Sequence, residues 1–351
     1  MHARIAVPSL FIAGLAFAGS AHAQQVERFE LRDSRVAVYN VAGEVRVEAG
    51  TGNSVVVEVT RGGGDARELR IERGEVGGKE SLRVVYPDER IIYPRMGRGS
   101  NTQFTVRRDG TFGGGIGLSS RRVRVAGSGS GTEAWADLRV RVPAGQSLEV
   151  HQGVGRVFVT NVNGTLQLNG ASASVKTDGT RGSLAVDVGS GSVEVDRASG
   201  NVDIDTGSGG VRVNAVRGDN LNVDTGSGSV TGSDVQVRRL NVNVGSGAVR
   251  IAAVRARDVE VDTGSGSVNV GLLADADRVK IDTGSGSVTL AVPDDFGAQV
   301  VIDTGSGGID VDVPVSGRTA RRSHFTGRVG DGNGRVSIDT GSGGVRVVGA
   351  R

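Results

Sequence analysis

The chain has 351 residues, with 41 Lys and Arg against 39 Asp and Glu, a formal net charge of +2 and only 3% aromatic residues. Nucleic-acid binding usually needs a clustered basic face with aromatic residues for stacking, so this balanced and interleaved charge argues against it. The 58 glycines follow no three-residue period, which excludes a collagen triple helix, and the absence of cysteine excludes disulfide staples.

Residues 1–23 predict an export signal. Arg4 precedes an apolar stretch from Ile5 to Phe17, and Ala21-His22-Ala23 forms an A-x-A cleavage signal before Gln24. The apolar stretch is shorter than the ~20 residues of a membrane span, and no cysteine follows to accept a lipid. We therefore expect an exported protein, periplasmic or extracellular, and favour the periplasm because no further sorting signal is visible.

The next two regions differ in regularity. Short apolar alternations such as Val36-Ala37-Val38 predict β-strands over residues 24–86. Residues 87–134 contain Gly-rich stretches, FGGGIG at Phe112 and GSGSG at Gly127, and show no sustained period, which predicts a long loop excursion. Regular alternation returns at Trp135, and we expect a repeat domain over residues 135–351.

The pentapeptide DTGSG marks this repeat domain. Consecutive copies from Asp187 to Asp303 begin 18 to 21 residues apart when two relaxed copies are included. A fixed spacing near 20 residues indicates stacked turns, so we predict an all-β fold, a β-solenoid with ~19-residue turns, a Val and Ile ladder as its core, and Gly-Ser-Gly corners. The six DTGSG copies begin at Asp205, Asp224, Asp262, Asp282, Asp303 and Asp339, and the relaxed copies at Asp187 and Asn243.

Positions within one repeat predict which side chains are buried. The residue before the motif Asp is always Val or Ile and should point inward. The Thr position becomes Val188 and Val244 in the relaxed copies, which indicates apolar surroundings. We expect the motif Asp to cap backbone amides of the corner. The small residue after the motif, Ser192 or Gly210, should lie where nothing larger fits, and a looser second corner should lie near Gly200.

The pattern resembles the bacterial DUF4097 family of adhesin-like proteins with β-strand repeats. The resemblance extends from about Phe29 to the C-terminus and is weakest over residues 87–133. It implies a β-solenoid in an envelope or surface setting and supplies no catalytic residues. The segments that carry it are the reiterated DTGSG with a following Ser or Gly and then Val or Ile, the entry segment 136–145, the interruption 293–297, and the segment 327–332 before the last copy.

We interpret the chain as an exported, non-catalytic, adhesin-like or scaffold protein that binds an envelope or surface polysaccharide or protein through polar sheet faces. No cofactor, metal or catalytic residue is assigned. A competing hypothesis is a polysaccharide lyase or hydrolase on a β-helix, because Asp275 with Asp277 and Asp294 with Asp295 fall at the loose corner of adjoining turns. Self-association through unpaired strand edges at the ends of the rod is a third hypothesis.

Other motifs carry weaker signals. Asp-Thr-Gly is also the signature of aspartic proteases, but six copies at solenoid spacing do not describe a cleft with two carboxylates. Stacked aspartates would permit Ca²⁺ binding, although the nonapeptide of Ca²⁺ β-rolls is absent. His151 and His324 lack the spacing of zinc ligands. Three arginines in the long insertion between the last two copies could contact an anionic envelope polymer; they are Arg318, Arg321 and Arg322.

Overall fold

A computed structural model of the protein describes residues 26–113 and 120–350, so the expected export signal at residues 1–23 lies outside the described part. Apart from two short 3-10 helices, Ala66–Glu68 and Pro94–Met96, the regular elements of this part are β-strands. From residue 135 onward the strands are β10 (Trp135–Val142), β11 (Gln146–Thr160), β12 (Gly164–Asp178), β13 (Leu184–Ser190), β14 (Val193–Asp196), β15 (Val202–Ser208), β16 (Val211–Ser227), β17 (Val230–Ser246), β18 (Val249–Arg255), β19 (Asp258–Ser265), β20 (Val268–Leu272), β21 (Arg278–Thr283), β22 (Val288–Val292), β23 (Ala298–Thr304), β24 (Ile309–Asp312), β25 (Val315–Ala320), β26 (His324–Val329), β27 (Gly334–Thr340) and β28 (Val345–Gly349).

The body of the protein is a β-solenoid, as the repeat spacing predicts. Each rung has a strand that enters the Gly-Ser-Gly corner, which we assign to sheet 1, and a strand that leaves it, which we assign to sheet 2. Rungs pair in parallel and in register, so equivalent residues form columns along the stack. The described residues form eleven rungs; in spatial order, the residues at the motif Asp position are Tyr39, His151, Asn169, Asp187, Asp205, Asp224, Asn243, Asp262, Asp282, Asp339 and Asp303.

The last DTGSG copy departs from the order of the sequence. Strand β27 pairs in parallel with β21 on one side and with β23 on the other, so Ile338 lies opposite both Ile281 and Ile302. Strand β28 lies between β22 and β24 in the same way. An antiparallel hairpin, β25 with β26, covers the free edge of β23 and returns the chain. The C-terminal rung is therefore inserted between two rungs that precede it in sequence.

The interior is a ladder of aliphatic side chains, which confirms the predicted inward positions. The residue before the motif position is at most 2% exposed in every copy. The Thr position is also buried, as the replacements Val188 and Val244 indicate. The ladder residues are Val186, Ile204, Val223, Val242, Val261, Ile281, Ile338 and Ile302.

Close approach of the backbone occurs at the fifth motif residue rather than the sixth. A Cβ added to Gly209 would overlap the carbonyl oxygen of Gly191 in the preceding rung. At the sixth position Ser192 is exposed, and a Cβ on Gly210 would have no neighbour closer than the Ser229 carbonyl oxygen, at 3.8 Å. The prediction that no larger side chain fits at the sixth position was wrong. Carbonyl groups point along the stack into the fifth position, whereas the sixth position faces solvent.

The second corner, between sheet 2 and the next strand of sheet 1, is more regular than its variable length suggests. A Cβ on Gly200 would overlap the carbonyl oxygen of Gly182, so these backbones are also in contact. Five non-glycine residues, one in each of five rungs, have φ between +50° and +56°. Left-handed backbone costs such residues about 1–2 kcal/mol each, so the stack imposes this conformation. They are Asn161, Arg197, Ala215, Asp234 and Ala253.

Strands in both parallel and antiparallel pairing cover the N-terminal end of the stack. Strand β2 forms the first rung and pairs with β11. On sheet 1, β5 pairs with β2 and β4 pairs with β5; on sheet 2, β3 pairs with β10 and β1 pairs with β3. These strands are β1 (Val26–Leu31), β2 (Arg35–Ala49), β3 (Val55–Gly62), β4 (Arg70–Val76) and β5 (Lys79–Val85).

The described residues of this segment, 87–113 and 120–134, form a small second sheet, so the prediction of a loop excursion was wrong for them. Strands β7 and β8 pair antiparallel, with Phe104 opposite Val123, while β6 pairs in parallel with β8 and β9. The GSGSG stretch at Gly127 separates β8 from β9, which has only two residues, and such short strands are why the sequence shows no sustained period. Most of the FGGGIG stretch lies outside the described residues. The strands are β6 (Arg90–Ile92), β7 (Asn101–Arg107), β8 (Ser120–Ala126) and β9 (Thr132–Glu133).

Candidate functional site

A column of carboxylates runs along the outer face of sheet 1. Because the residue before each motif Asp points inward, strand alternation turns the Asp outward. Of the eight side chains, seven are exposed and Asp282 is half-buried. Neighbouring members are separated by the rung spacing of ~4.8 Å. This carboxylate column comprises, in spatial order, Asp187, Asp205, Asp224, Asn243, Asp262, Asp282, Asp339 and Asp303.

Negative charge accumulates in the first half of the carboxylate column. Partial burial raises the pKa of Asp205, and the negative charges of Asp187 and Asp224 on the adjoining rungs raise it further. Asn243 interrupts the series and donates from Nδ2 to Asp224 Oδ2 at 3.0 Å. The column therefore tolerates an amide in place of a carboxylate at one rung.

Lysine and histidine side chains contact the column at its C-terminal end. Lys280 Nζ lies 2.7 Å from Asp282 Oδ2, and His324 Nδ1 lies 2.6 Å from Asp303 Oδ1. The Lys280 ammonium also pairs with Glu260 at 3.2 Å. The negative field of the column is consequently strongest over its first rungs and weaker over its last ones.

Threonine caps the Gly-Ser-Gly corner in two rungs, at Thr283 and Thr340; the prediction that the motif Asp caps the corner was wrong. Thr283 Oγ1 accepts a hydrogen bond from the Gly286 amide at 3.1 Å and donates to the Gly266 carbonyl of the preceding rung at 3.2 Å. Thr340 makes the equivalent bonds to Gly343 and Gly286. Within residues 26–113 and 120–350, no motif Asp accepts a bond from a corner amide. The Thr side chain is buried beside the corner, while the Asp side chain points into solvent.

Replacing Thr by Val should have opposite effects at two rungs. Thr283→Val removes the partner of a buried amide, and we expect the free energy of unfolding to fall by about 1–2 kcal/mol. Thr206 Oγ1 is buried without a partner, so Thr206→Val should be neutral or stabilising by up to about 1 kcal/mol. Thermal unfolding of both variants measures the difference. Equal destabilisation by the two substitutions would contradict the assigned cap.

The motif column continues into a covered region at the N-terminal end of the stack. His151 pairs in register with Asn169, as the 18-residue spacing predicts, and with Tyr39 on its other side. The rings of Tyr39 and His151 stack at 4.2 Å, and the Phe112 ring packs against both. Tyr39 and His151 are only 6% and 4% exposed. Residues 87–113 thus cover the column where its side chains become aromatic.

A charged group lies beside this covered region. His151 Nε2 lies 2.6 Å from Glu149 Oε1, and Lys79 Nζ bonds to Glu149 Oε2. The hydrogen bond with His151, together with the Lys79 contact, lowers the pKa of Glu149 to about 2. Burial and the charge of Glu149 raise the pKa of Tyr39 to about 12. Sequence reasoning placed His151 in the column but missed Lys79 and Phe112, which come from segments outside the repeat register.

The stability of the protein should depend on pH through Glu149. Its pKa of about 2 lies below the ordinary value of 4.5, so its contribution is complete above about pH 4.5 and is lost as the pH falls toward 2. We expect Glu149→Gln to cost on the order of 2 kcal/mol at pH 7 and to flatten the decline below pH 4.5. Urea unfolding from pH 7 to 3 tests this. Glu260→Gln, at an exposed ion pair, is the control and should leave the profile unchanged.

Comparison with known families agrees with this architecture. The family described as Toastrack DUF4097 matches residues 119–348. The chain belongs to this family. The match covers all of the stack except its first rung, whereas residues 26–113 supply that rung, four of the strands that cover it and part of the second sheet.

Two further comparisons accompany this match. No curated protein matches the Toastrack chain. Among solved structures, it is similar to a "putative cell adhesion protein" from Clostridium sporogenes, with 9% sequence identity and a TM-score of 0.24, over 93% of this chain and 99% of that one.

The four aspartates of the hypothetical acidic patch lie in two turns of the Toastrack stack and are all exposed. Asp275 Oδ1 accepts a hydrogen bond from the Gly297 amide at 2.9 Å, so this carboxylate stabilises the neighbouring turn. Asp294 and Asp295 occupy a turn closed by the bond from the Phe296 amide to the Pro293 carbonyl, at 3.1 Å. Among the described residues, no hydrogen bond or ion pair joins Asp275 or Asp277 to Asp294 or Asp295.

Two other features of the described residues bear on ligands. In residues 26–113 and 120–350, no three His, Asp or Glu side chains gather as potential metal ligands. No helix in these ranges is long and apolar enough to span a membrane. In the long insertion, the Arg318 guanidinium lies 5.7 Å from the centre of the Phe325 ring, while Arg321 and Arg322 are exposed at the turn between β25 and β26.

Proposed function

We propose that this Toastrack protein is an exported, non-catalytic, adhesin-like scaffold that binds a polysaccharide of the cell envelope or of another surface through the outer face of sheet 1. The observation that carries this proposal is the carboxylate column. Carboxylates and amides at a fixed spacing present hydrogen-bond acceptors that can receive the hydroxyl groups of successive sugars. Affinity would arise from many weak contacts made at once.

The pairing of charges on the two sheets supports the choice of sheet 1. On sheet 2, opposite charges on adjoining rungs form ion pairs, including Arg139 with Glu48 at 2.7 Å and Lys176 with Glu194 at 3.0 Å. In such a pair each charged group already has a partner and is less available to a ligand. In the first half of the carboxylate column the neighbours have the same sign, so their acceptors remain available to a ligand.

A binding panel tests the proposal. The chain from Gln24 onward is incubated with envelope and host polysaccharides, and both retention and newly formed sugar ends are measured. We expect retention without new ends. Replacing four column residues by Asn should weaken retention at least about fivefold, and Asn243 shows that the fold accepts this change. The substitutions are Asp187→Asn, Asp205→Asn, Asp224→Asn and Asp262→Asn.

The control variant changes the outer face of sheet 2 and should retain polysaccharide like the unmodified chain; it carries Glu194→Gln, Arg212→Gln and Arg250→Gln. Failure to retain any polysaccharide, or equal losses in both variants, would count against the proposal. New sugar ends that disappear when Asp275, Asp277, Asp294 and Asp295 are replaced by Asn would instead establish the lyase or hydrolase.

A further inference from the structure

Insertion of the C-terminal rung brings together two arginines that are distant in sequence. Arg278 begins β21 and Arg335 lies near the start of β27, and the two are register partners on adjoining parallel strands. Their backbones are fixed on both sides, since the Arg335 amide donates to the Asp277 carbonyl at 3.1 Å and the Arg278 amide donates to the Arg257 carbonyl at 3.0 Å. The two side chains therefore leave the same face of sheet 1 about 4.8 Å apart.

Neither guanidinium is neutralised by a carboxylate. Both side chains are exposed, and no side-chain hydrogen bond or ion pair joins Arg278 or Arg335 to any residue of 26–113 or 120–350. Two like charges on adjoining rungs repel each other, and an anion between them would relieve this repulsion. Arginine is also the side chain best suited to grip a carboxylate or phosphate through two parallel hydrogen bonds.

The two arginines line a groove of about 520 Å³, which we call the arginine groove. Its lining residues are Asp277, Arg278, Val279, Lys280, Asn333, Arg335 and Ser337. Lys280 is paired with Glu260 and Asp282, so the unpaired positive charges of the groove are those of Arg278 and Arg335. Asp277 contributes a negative charge to the same groove. Asn333 and Ser337 add neutral hydrogen-bonding groups beside the guanidinium groups.

The same column carries a third arginine farther along the stack. Gln299 is the register partner of Arg335 on one side and of Arg328 on the other. Along the stack axis this column reads Asp258, Arg278, Arg335, Gln299 and Arg328. Asp258 lies 3.9 Å from Arg239 on the preceding rung, so its charge has another partner. On these rungs the carboxylate column is partly neutralised because Lys280 pairs with Asp282, and the Asp303 carboxylate is hydrogen-bonded to the His324 ring. A linear ligand with anionic groups can lie here along the stack with reduced repulsion.

We propose that the arginine groove binds the carboxylate groups of a linear anionic glycan that runs along sheet 1. This inference rests on the proposed function and names the ligand class. The hydroxyl groups of the glycan meet the carboxylate column, and its acidic sugars lie against Arg278 and Arg335. The groove exists only in the folded order of rungs, because the two arginines meet through the inserted C-terminal strand.

The test measures binding of the chain from Gln24 onward to hyaluronan and polygalacturonate, each compared with the same polymer after chemical reduction of its carboxyl groups. We expect at least one acidic polymer to bind more tightly than its reduced form. The double variant Arg278→Ala with Arg335→Ala should then bind that polymer about tenfold more weakly. The difference in affinity between the double variant and the unmodified chain should be smaller at high salt, because salt screens the attraction between arginine and carboxylate.

The control is Arg212→Ala with Arg250→Ala, which removes two exposed arginines from sheet 2 without changing the groove. Both variants should melt like the unmodified chain, since the four side chains are exposed. No preference for an acidic polymer, or equal binding by the groove variant and the control, would overturn the inference. If neutral polysaccharides are still retained in that case, the proposed function stands; if nothing is retained, it fails as well.

Discussion

Gly209→Ala is expected to destabilise the protein by about 3–5 kcal/mol. A Cβ at this position would overlap the Gly191 carbonyl oxygen in the rung below, and both groups belong to backbone that neighbouring rungs hold in place. The φ of Gly209 is +149°, which L-residues rarely adopt. Relief would require the two rungs to move apart and lose their parallel pairing. Circular dichroism during heating measures the loss.

Gly210→Ala is the matched control, one residue away in the same corner. Its added Cβ would have no neighbour nearer than 3.8 Å, and Ala248 and Ser229 occupy the equivalent position in other rungs. We expect a change within about 0.5 kcal/mol. Similar losses at Gly209 and Gly210 would show that the fifth position is not where the rungs make their closest contact.

Truncation after Asn333 should destabilise the interior of the C-terminal half and not merely its end. The amides of Val288 and Gly305 donate to the Gly344 and Thr340 carbonyls of the inserted rung, at 2.9 and 2.8 Å. Removing that rung leaves the Val288 and Gly305 amides without acceptors. It also exposes the edges of β21 and β23 that β27 covers, and exposed strand edges favour aggregation. We expect the Val288 and Gly305 amides to lose at least about a hundredfold in hydrogen-exchange protection.

A synthetic peptide of residues 334–350 supplies the control for truncation. If it fills the gap, protection at Val288 and Gly305 should return, whereas a peptide of the same composition in scrambled order should have no effect. A stack built in sequence order would behave differently, because loss of its last rung would leave the amide of Val288 protected. Unchanged protection in the truncated chain would contradict the insertion.

The inward positions of the solenoid could be predicted because hydrophobic alternation and in-register stacking act on the same residues. Val or Ile before each motif Asp defines the buried side, and the period of two then orients the rest of the strand. The same alternation turns Asp outward and Thr inward. Val188 and Val244, which replace Thr in the relaxed copies, indicate the inward position of Thr. The motif Asp does not cap the corner because its side chain points into solvent, whereas the inward Thr side chain lies beside the corner amides.

The order of the last rungs could not be read from the repeats because their sequences are interchangeable. Val279, Val300 and Val336 offer the same surface to a neighbour, so local complementarity does not select one partner. The connections make the choice, since the hairpin of β25 and β26 occupies the free side of β23. The arginine groove depends on this order of rungs, so the repeats alone did not predict it. The contact of Phe112 with His151 could not be predicted either, because residues 87–113 lie outside the repeat register.

The inserted rung also restricts how a stack of this kind can change in length during evolution. Arrays of repeats commonly lengthen when a duplicated unit joins the free edge of the last one. Here the C-terminal strands have neighbours on both sides, so a further copy after Gly349 would find no open rung to join. Longer relatives should therefore carry their extra copies between Asp187 and Asp282 and keep the segment 283–350 as a single terminating unit.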